Sequence, residues 1–196
     1  MEIKDYVKIY DDILRYDTLS NFIKWINTQG NFEDARIGQG EGIVNKKIRS
    51  VKNLFLTESN NSLTNVHWYN VLSKIFKIYF DKYVTDNNFS VSTRPFAFKN
   101  ECDVTVLKYE AETEDHYDVH VDQGGMHNTR LMSFIFLLNN DYEGGEICFC
   151  DSDESERFTI QTKANRLVMW PSNFLFPHKI KKVVKGKRYS VVSWLA

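Results

Sequence analysis

Apolar residues recur at helical spacing in two places in the first half of the chain. Leu19, Phe22, Ile23 and Ile26 share one side of a 3.6-residue period, which predicts a helix that Asp17 or Thr18 can cap and Gly30 stops. Val66, Tyr69, Leu72, Phe76, Tyr79, Phe80 and Tyr83 make a broader stripe and predict a longer helix from about Leu63 to Tyr83. Such a stripe suits bracing a sheet, and His67 beside it reads as a packed or surface imidazole. Tyr6 to Tyr10 alternates as a short strand. After Asn87 the pattern turns strand-rich, at Phe96–Phe98, Asp103–Tyr109, Tyr117–Asp122, Leu131–Leu138, Glu146–Phe149, Phe158–Gln161, Leu167–Trp170 and Arg188–Leu195. Turn residues such as Asn139-Asn140-Asp141 and Lys185-Gly186-Lys187 separate these runs. Many short strands between turns suit a sandwich or jelly roll, so the expected fold is mainly β with flanking α. With no linker or composition break, residues 1–196 read as one domain: support and a lid over 1–95, a jelly-roll core over 96–196.

Composition adds limits rather than identity. At 42% hydrophobic and 14% aromatic residues, the chain can bury a sizeable core. A net charge of −1 and a pI near 6.5 speak against a dedicated nucleic-acid or polybasic membrane surface. No apolar run is long enough to cross a bilayer, and the first residues lack a signal-peptide layout, so a cytoplasmic, intracellular location is expected. Cys102, Cys148 and Cys150 show neither a disulfide framework nor zinc spacing and read as reduced thiols, the latter two on one face of a strand.

The chemistry concentrates after residue 116. Side chains two apart on a strand point the same way, so His120 and Asp122 can reach one ion. A lone H-x-D pair is a weak signal, and here His116-Tyr117-Asp118 competes with it on the same face. The second pair is preferred because Gln123-Gly124-Gly125 ends the strand beside it and leaves it at a rim, while Tyr117, Val119 and Val121 suit the sheet interior. His178 supplies a third ligand, completing the two-His, one-carboxylate facial set of non-haem Fe(II) oxygenases. Arg188 offers a planar guanidinium suited to holding a carboxylate by two hydrogen bonds.

Read together, the segments Tyr117-x-x-His120-x-Asp122, Leu138-Asn139, Gly144-Gly145-Glu146, Arg166-Leu-Val-Met-Trp170-Pro171 before His178, and Gly186-Lys-Arg188 with Trp194 resemble the Fe(II)- and 2-oxoglutarate-dependent dioxygenases, most closely the prolyl 4-hydroxylase branch. The resemblance covers roughly the last ninety residues. It implies a double-stranded β-helix, Fe(II) on His120, Asp122 and His178, 2-oxoglutarate held by Arg188, dioxygen as oxidant, and ascorbate as an accessory. Tyr109 matches a co-substrate tyrosine of the family. Where the oxygen-sensing branch has a second such tyrosine stands Leu137, with Ser133 on the same face as a substitute hydroxyl. Arg130, Trp170 and Trp194 become substrate-side candidates, and the implied reaction is hydroxylation of a peptidyl proline.

Two other readings share parts of this pattern. A nucleic-acid oxygenase of the wider superfamily usually carries a second arginine where Trp194 stands, so no nucleic-acid partner is expected. A non-catalytic jelly-roll binding module would have no reason to keep all three ligand residues and Arg188. The Gly-rich stretch at 38–49 lacks the Lys-Ser/Thr of a P-loop and reads as a loop, with Arg36, Lys46, Lys47 and Arg49 placed to serve as a lid at the site mouth.

Overall fold

The structure, a computed structural model, describes residues 2–38, 42–57, 62–93, 101–124 and 129–196, with backbone only at 101 and 102. The strand expected at Phe96–Phe98, Gly125 and the centre of the Gly-rich loop lie outside these residues. In chain order the elements are β1 (Lys8–Asp11), α1 (Tyr16–Thr28), β2 (Glu33–Asp34), β3 (Arg49–Ser50), β4 (Lys52–Phe55), α2 (Leu63–Asp86), β5 (Glu101–Glu110), β6 (His116–His120), β7 (Met132–Leu137), β8 (Glu143–Gly144), β9 (Ile147–Cys150), β10 (Glu156–Ile160), β11 (Arg166–Pro171), β12 (His178–Ile180), β13 (Val183–Lys185) and β14 (Lys187–Leu195).

Antiparallel pairing sorts the strands into a large sheet, β1-β11-β7-β14-β5-β4-β2, a smaller one, β10-β9-β12-β6-β3, and a two-stranded ribbon, β13-β8. The large sheet is buried on both faces, which explains why β7 reads as an unbroken apolar run rather than an alternation. Phe134, Phe136, Val106 and Val191 join the helices in one cluster; Ile135, Leu137, Leu107 and Val192 join Phe149, Ile147 and Ile180 of the small sheet in another. Helices therefore brace one face, and the other closes against the small sheet as a jelly roll.

Both helices form where the periodicity places them, with different ends. α1 begins after Arg15, which makes no capping bond; Asp17 lies inside the first turn, its carboxylate accepting from the Thr18 amide. It ends at Thr28, before Gly30, with the Gln29 side chain donating to the Trp25 carbonyl. α2 is capped by Ser62 and continues past Tyr83 to Asp86. Its buried side includes Trp68 and Ile75 beside Leu72, Phe76 and Phe80, and the Phe76 ring meets Phe134 at 5.1 Å. Tyr6 closes a 3-10 turn instead of opening β1. Cys148 and Cys150 are buried free thiols, and burial pushes Cys150 up to about 11.

The Gly-Gly pair has a steric cause. Gly144 and Gly145 have φ of +77° and +69°, a region side chains rarely adopt. A Cβ on Gly144 would collide with the carbonyl oxygen of Lys182, just before β13, and one on Gly145 would come within 2.9 Å of Arg188 Cδ. The pair lets the ribbon lie on the stem of that arginine. Gly144→Ala is expected to lose ~2 kcal/mol or more of stability, lowering the thermal midpoint by several degrees; an unchanged midpoint in a melting experiment would refute this steric account.

Candidate metal centre

β6 and β12 pair with His120 opposite His178, and the register slips between that pair and Tyr117 opposite Ile180. This irregularity breaks the alternation along β6. The single polar face expected for His116, Asp118, His120 and Asp122 does not form, and Tyr117, expected in the sheet interior, lines the same cavity as His120. His116 lies outside that cavity. Both its ring nitrogens face backbone carbonyls, Nδ1 that of Glu114 at 2.9 Å and Nε2 that of Lys47 at 3.2 Å, so no lone pair is aimed at an ion.

The other pair is arranged differently. Ligand atoms of His120, Asp122 and His178 all lie within 4.8 Å of one another. His120 Nε2 stands 3.9 Å and His178 Nε2 3.6 Å from the Asp122 carboxylate. Each imidazole turns Nδ1 to a carbonyl two residues back, that of Asp118 at 2.8 Å and that of Phe176 at 3.1 Å. Only a protonated Nδ1 can donate there, which leaves the Nε2 lone pairs facing the carboxylate. Burial and the neighbouring His178 push His120 down to about 3, so it is neutral at physiological pH. Burial would push Asp122 up, but its polar neighbours, among them the Ser133 hydroxyl that donates to it, hold the carboxyl below its usual range. Two imidazole nitrogen donors and one buried carboxylate are a donor set that suits a divalent first-row metal such as Fe(II).

The surroundings fix these rings. Tyr117 stacks on His120 with centroids 3.6 Å apart, and the Arg49 guanidinium lies 4.7 Å from the Tyr117 ring centroid. Trp170 meets His178 edge-on at 4.9 Å. The cavity, about 260 Å³, is walled by Leu107, Ile135, Ile180 and Val192.

The structure changes two of the expected roles. Ser133 does not line the cavity; its hydroxyl donates to Asp122 Oδ2 at 2.6 Å, backed by Ser172 at 2.8 Å, so it orients the carboxylate instead of meeting a co-substrate. Trp170 is fully buried behind His178 and does not line the cavity. Trp194 does line the cavity, with the Arg130 guanidinium 3.5 Å from its ring centroid. Tyr109 lines it too, and burial raises its phenol, which stays a neutral donor. Arg188 is fully buried one layer back, its guanidinium 4.8 Å from the Tyr109 ring centroid. Nη1 donates to Ser190 at 2.9 Å, while Nε and Nη2 have no partner among the described residues. A buried guanidinium left half satisfied is costly, and a carboxylate is the group that would complete it. From the first half of the chain, Arg36 and Arg49 reach the cavity, whereas Lys46 pairs with Asp34 at 3.0 Å.

Comparisons with known proteins agree with this geometry. Residues 104–196 match the model of the 2OG-Fe(II) oxygenase superfamily. Human prolyl 3-hydroxylase 2 is 36% identical over 66 residues, 33% of this chain, and the chain spans only 9% of that protein's length. A prolyl hydroxylase from Trichoplax adhaerens, solved with a hypoxia inducible factor peptide fragment, superposes with a TM-score of 0.75 at 15% identity, covering 97% of this chain and 83% of that one. A Pseudomonas putida prolyl-4-hydroxylase superposes at 0.68 with 16% identity, covering 97% and 92%. Residues 104–196 therefore resemble the 2OG-Fe(II) oxygenase superfamily, and the chain shares its fold with these prolyl hydroxylases. No helix among the described residues is long and apolar enough to cross a membrane.

The Ser133 hydrogen bond generates a test. Removing a hydroxyl that orients a metal-binding carboxylate typically lowers metal affinity ten- to a hundredfold. Ser133→Ala is therefore expected to weaken Mn(II) or Fe(II) binding by about that factor in anaerobic calorimetry, and unchanged affinity would show that the bond does not serve the site.

Proposed function

We propose that this protein is a dioxygenase that holds Fe(II) on His120, Asp122 and His178 and uses 2-oxoglutarate and dioxygen to hydroxylate an unactivated C–H bond, with a peptidyl proline as its substrate. The observation that carries the reading is the pair of imidazole Nε2 atoms set against one buried carboxylate in a cavity wall. The incompletely bonded guanidinium of Arg188 behind that cavity supports it. When bound, Fe(II) with the keto acid and dioxygen supplies the oxidising power, releasing carbon dioxide and succinate.

The protein's own part is placement. Arg188 pairs with the distal carboxylate, through the two nitrogens without partners among the described residues, and Tyr109 donates its phenol beside it. Leu107, Ile135 and Val192 keep bulk water from the oxidant. At the mouth, Arg130 on Trp194 gives a flat wall where a proline ring can lie while the guanidinium meets a neighbouring carbonyl. The relatives named for prolyl hydroxylation support that substrate class. Ascorbate fits as an accessory reductant of such an enzyme.

The test is succinate release from 2-oxoglutarate with Fe(II), alone and with a panel of proline-containing peptides read for the mass gain of one oxygen. His120→Ala and Asp122→Ala are each expected to abolish turnover. Arg188→Leu is expected to raise the 2-oxoglutarate requirement roughly a hundredfold or more, because a buried carboxylate loses its partner. Full activity in both ligand variants would overturn the assignment.

A further inference from the structure

Among the described residues, β3 is the one strand of the small sheet that comes from the first half of the chain, and it is two residues long. It pairs with β6, setting Arg49 opposite Tyr117 and Ser50 opposite His116, and the Ile48 carbonyl accepts from the Asp118 amide one step further on. The side chains carry the connection on to the metal ligand. The Tyr117 ring lies on the His120 imidazole with planes 19° from parallel, and the Arg49 guanidinium sits over the Tyr117 ring. That guanidinium is tied back in turn, Nη1 donating to the Arg36 carbonyl at 3.1 Å.

The two imidazoles of the site are supported unequally. His178 is buried among Phe149 and Trp170, two rings of the core. His120 is only partly buried, and apart from His178 its one ring neighbour among the described residues is Tyr117. Its Nδ1 bond to the Asp118 carbonyl holds one edge of the ring, and the stacked phenol holds the plane. A ligand ring keeps its aim only while the groups around it keep theirs. The place of Tyr117 is therefore a matter for the metal, and the face of a phenol ring attracts a guanidinium.

We infer that Arg49 is a positioning residue for the metal centre: it fixes Tyr117 on His120, so the first half of the chain steadies the centre without supplying a ligand to it. The inference rests on the ligand set proposed above. Arg49 acts on the ion in two opposed ways. Its positive charge near the site works against a bound cation, and its hold on the ring works in favour of one. Only the second effect passes through Tyr117.

A double-mutant cycle separates them, read by anaerobic calorimetry with Mn(II) and no keto acid or peptide present. Arg49→Leu is made in the unaltered protein and in Tyr117→Leu; the direct charge effect is shared by both backgrounds, and their difference isolates the route through the ring. Arg49→Leu is expected to weaken Mn(II) binding about two- to fivefold more with Tyr117 present than in Tyr117→Leu, the size of one partly exposed cation–ring contact. In Tyr117→Phe, which keeps the ring and loses the hydroxyl, the full effect of Arg49→Leu is expected to persist. Melting curves establish that each variant is folded. Equal effects of Arg49→Leu with and without Tyr117 overturn the inference, and so does loss of the effect in Tyr117→Phe. An unaltered protein that takes up no ion would bring down the ligand set and this inference together, an outcome distinct from an ion bound without coupling.

Discussion

The antiparallel pairing of β6 with β12 is the constraint on which the rest depends. It sets His120 directly across from His178, and the slip in its register turns His120 and Tyr117 inward together. Two imidazoles and a carboxylate buried so close together are unfavourable in isolation, because burial opposes every charge they could carry. The fold tolerates them by fixing one protonation pattern: Nδ1–H of each ring on a carbonyl, Asp122 on Ser133. An arrangement that keeps one lone pair of each donor unspent is what a cation requires.

The large sheet makes that pairing rigid. Because α1 and α2 cover one face, the other can be devoted to holding the small sheet at a fixed distance, with Phe149 and Trp170 packed against His178. Arg188 and Tyr109 come from adjacent positions on β14 and β5, opposite each other in register, so the carboxylate-binding group and the phenol move as one unit. The Gly144-Gly145 pair then allows the ribbon to close over the arginine stem. Motifs far apart in the chain are thus joined by a few strand pairings.

Much of this was legible in the residues, for physical reasons. Long elements carry a strong period, so both helices and β5, β7, β11 and β14 could be placed; β2, β3, β8, β12 and β13 are two or three residues long and carry none. His120, Asp122, His178, Tyr109, Trp194 and Arg130 were singled out, and the structure brings them around one cavity. The bulge in β6 was not legible, since it is imposed by the partner strand. Without it, parity puts Tyr117 on the wrong face and His116 on the right one. Ser133 and Trp170 were misread for a related reason: residue type announces a polar handle, but only packing decides whether it meets a ligand or holds a neighbour.

The most direct measurement is metal stoichiometry under anaerobic calorimetry with Mn(II) in place of Fe(II), comparing His178→Ala with His116→Ala. The account predicts one ion per chain in His116→Ala, as in the unaltered protein, and none bound in His178→Ala. Loss of the ion in His116→Ala with retention in His178→Ala would contradict it.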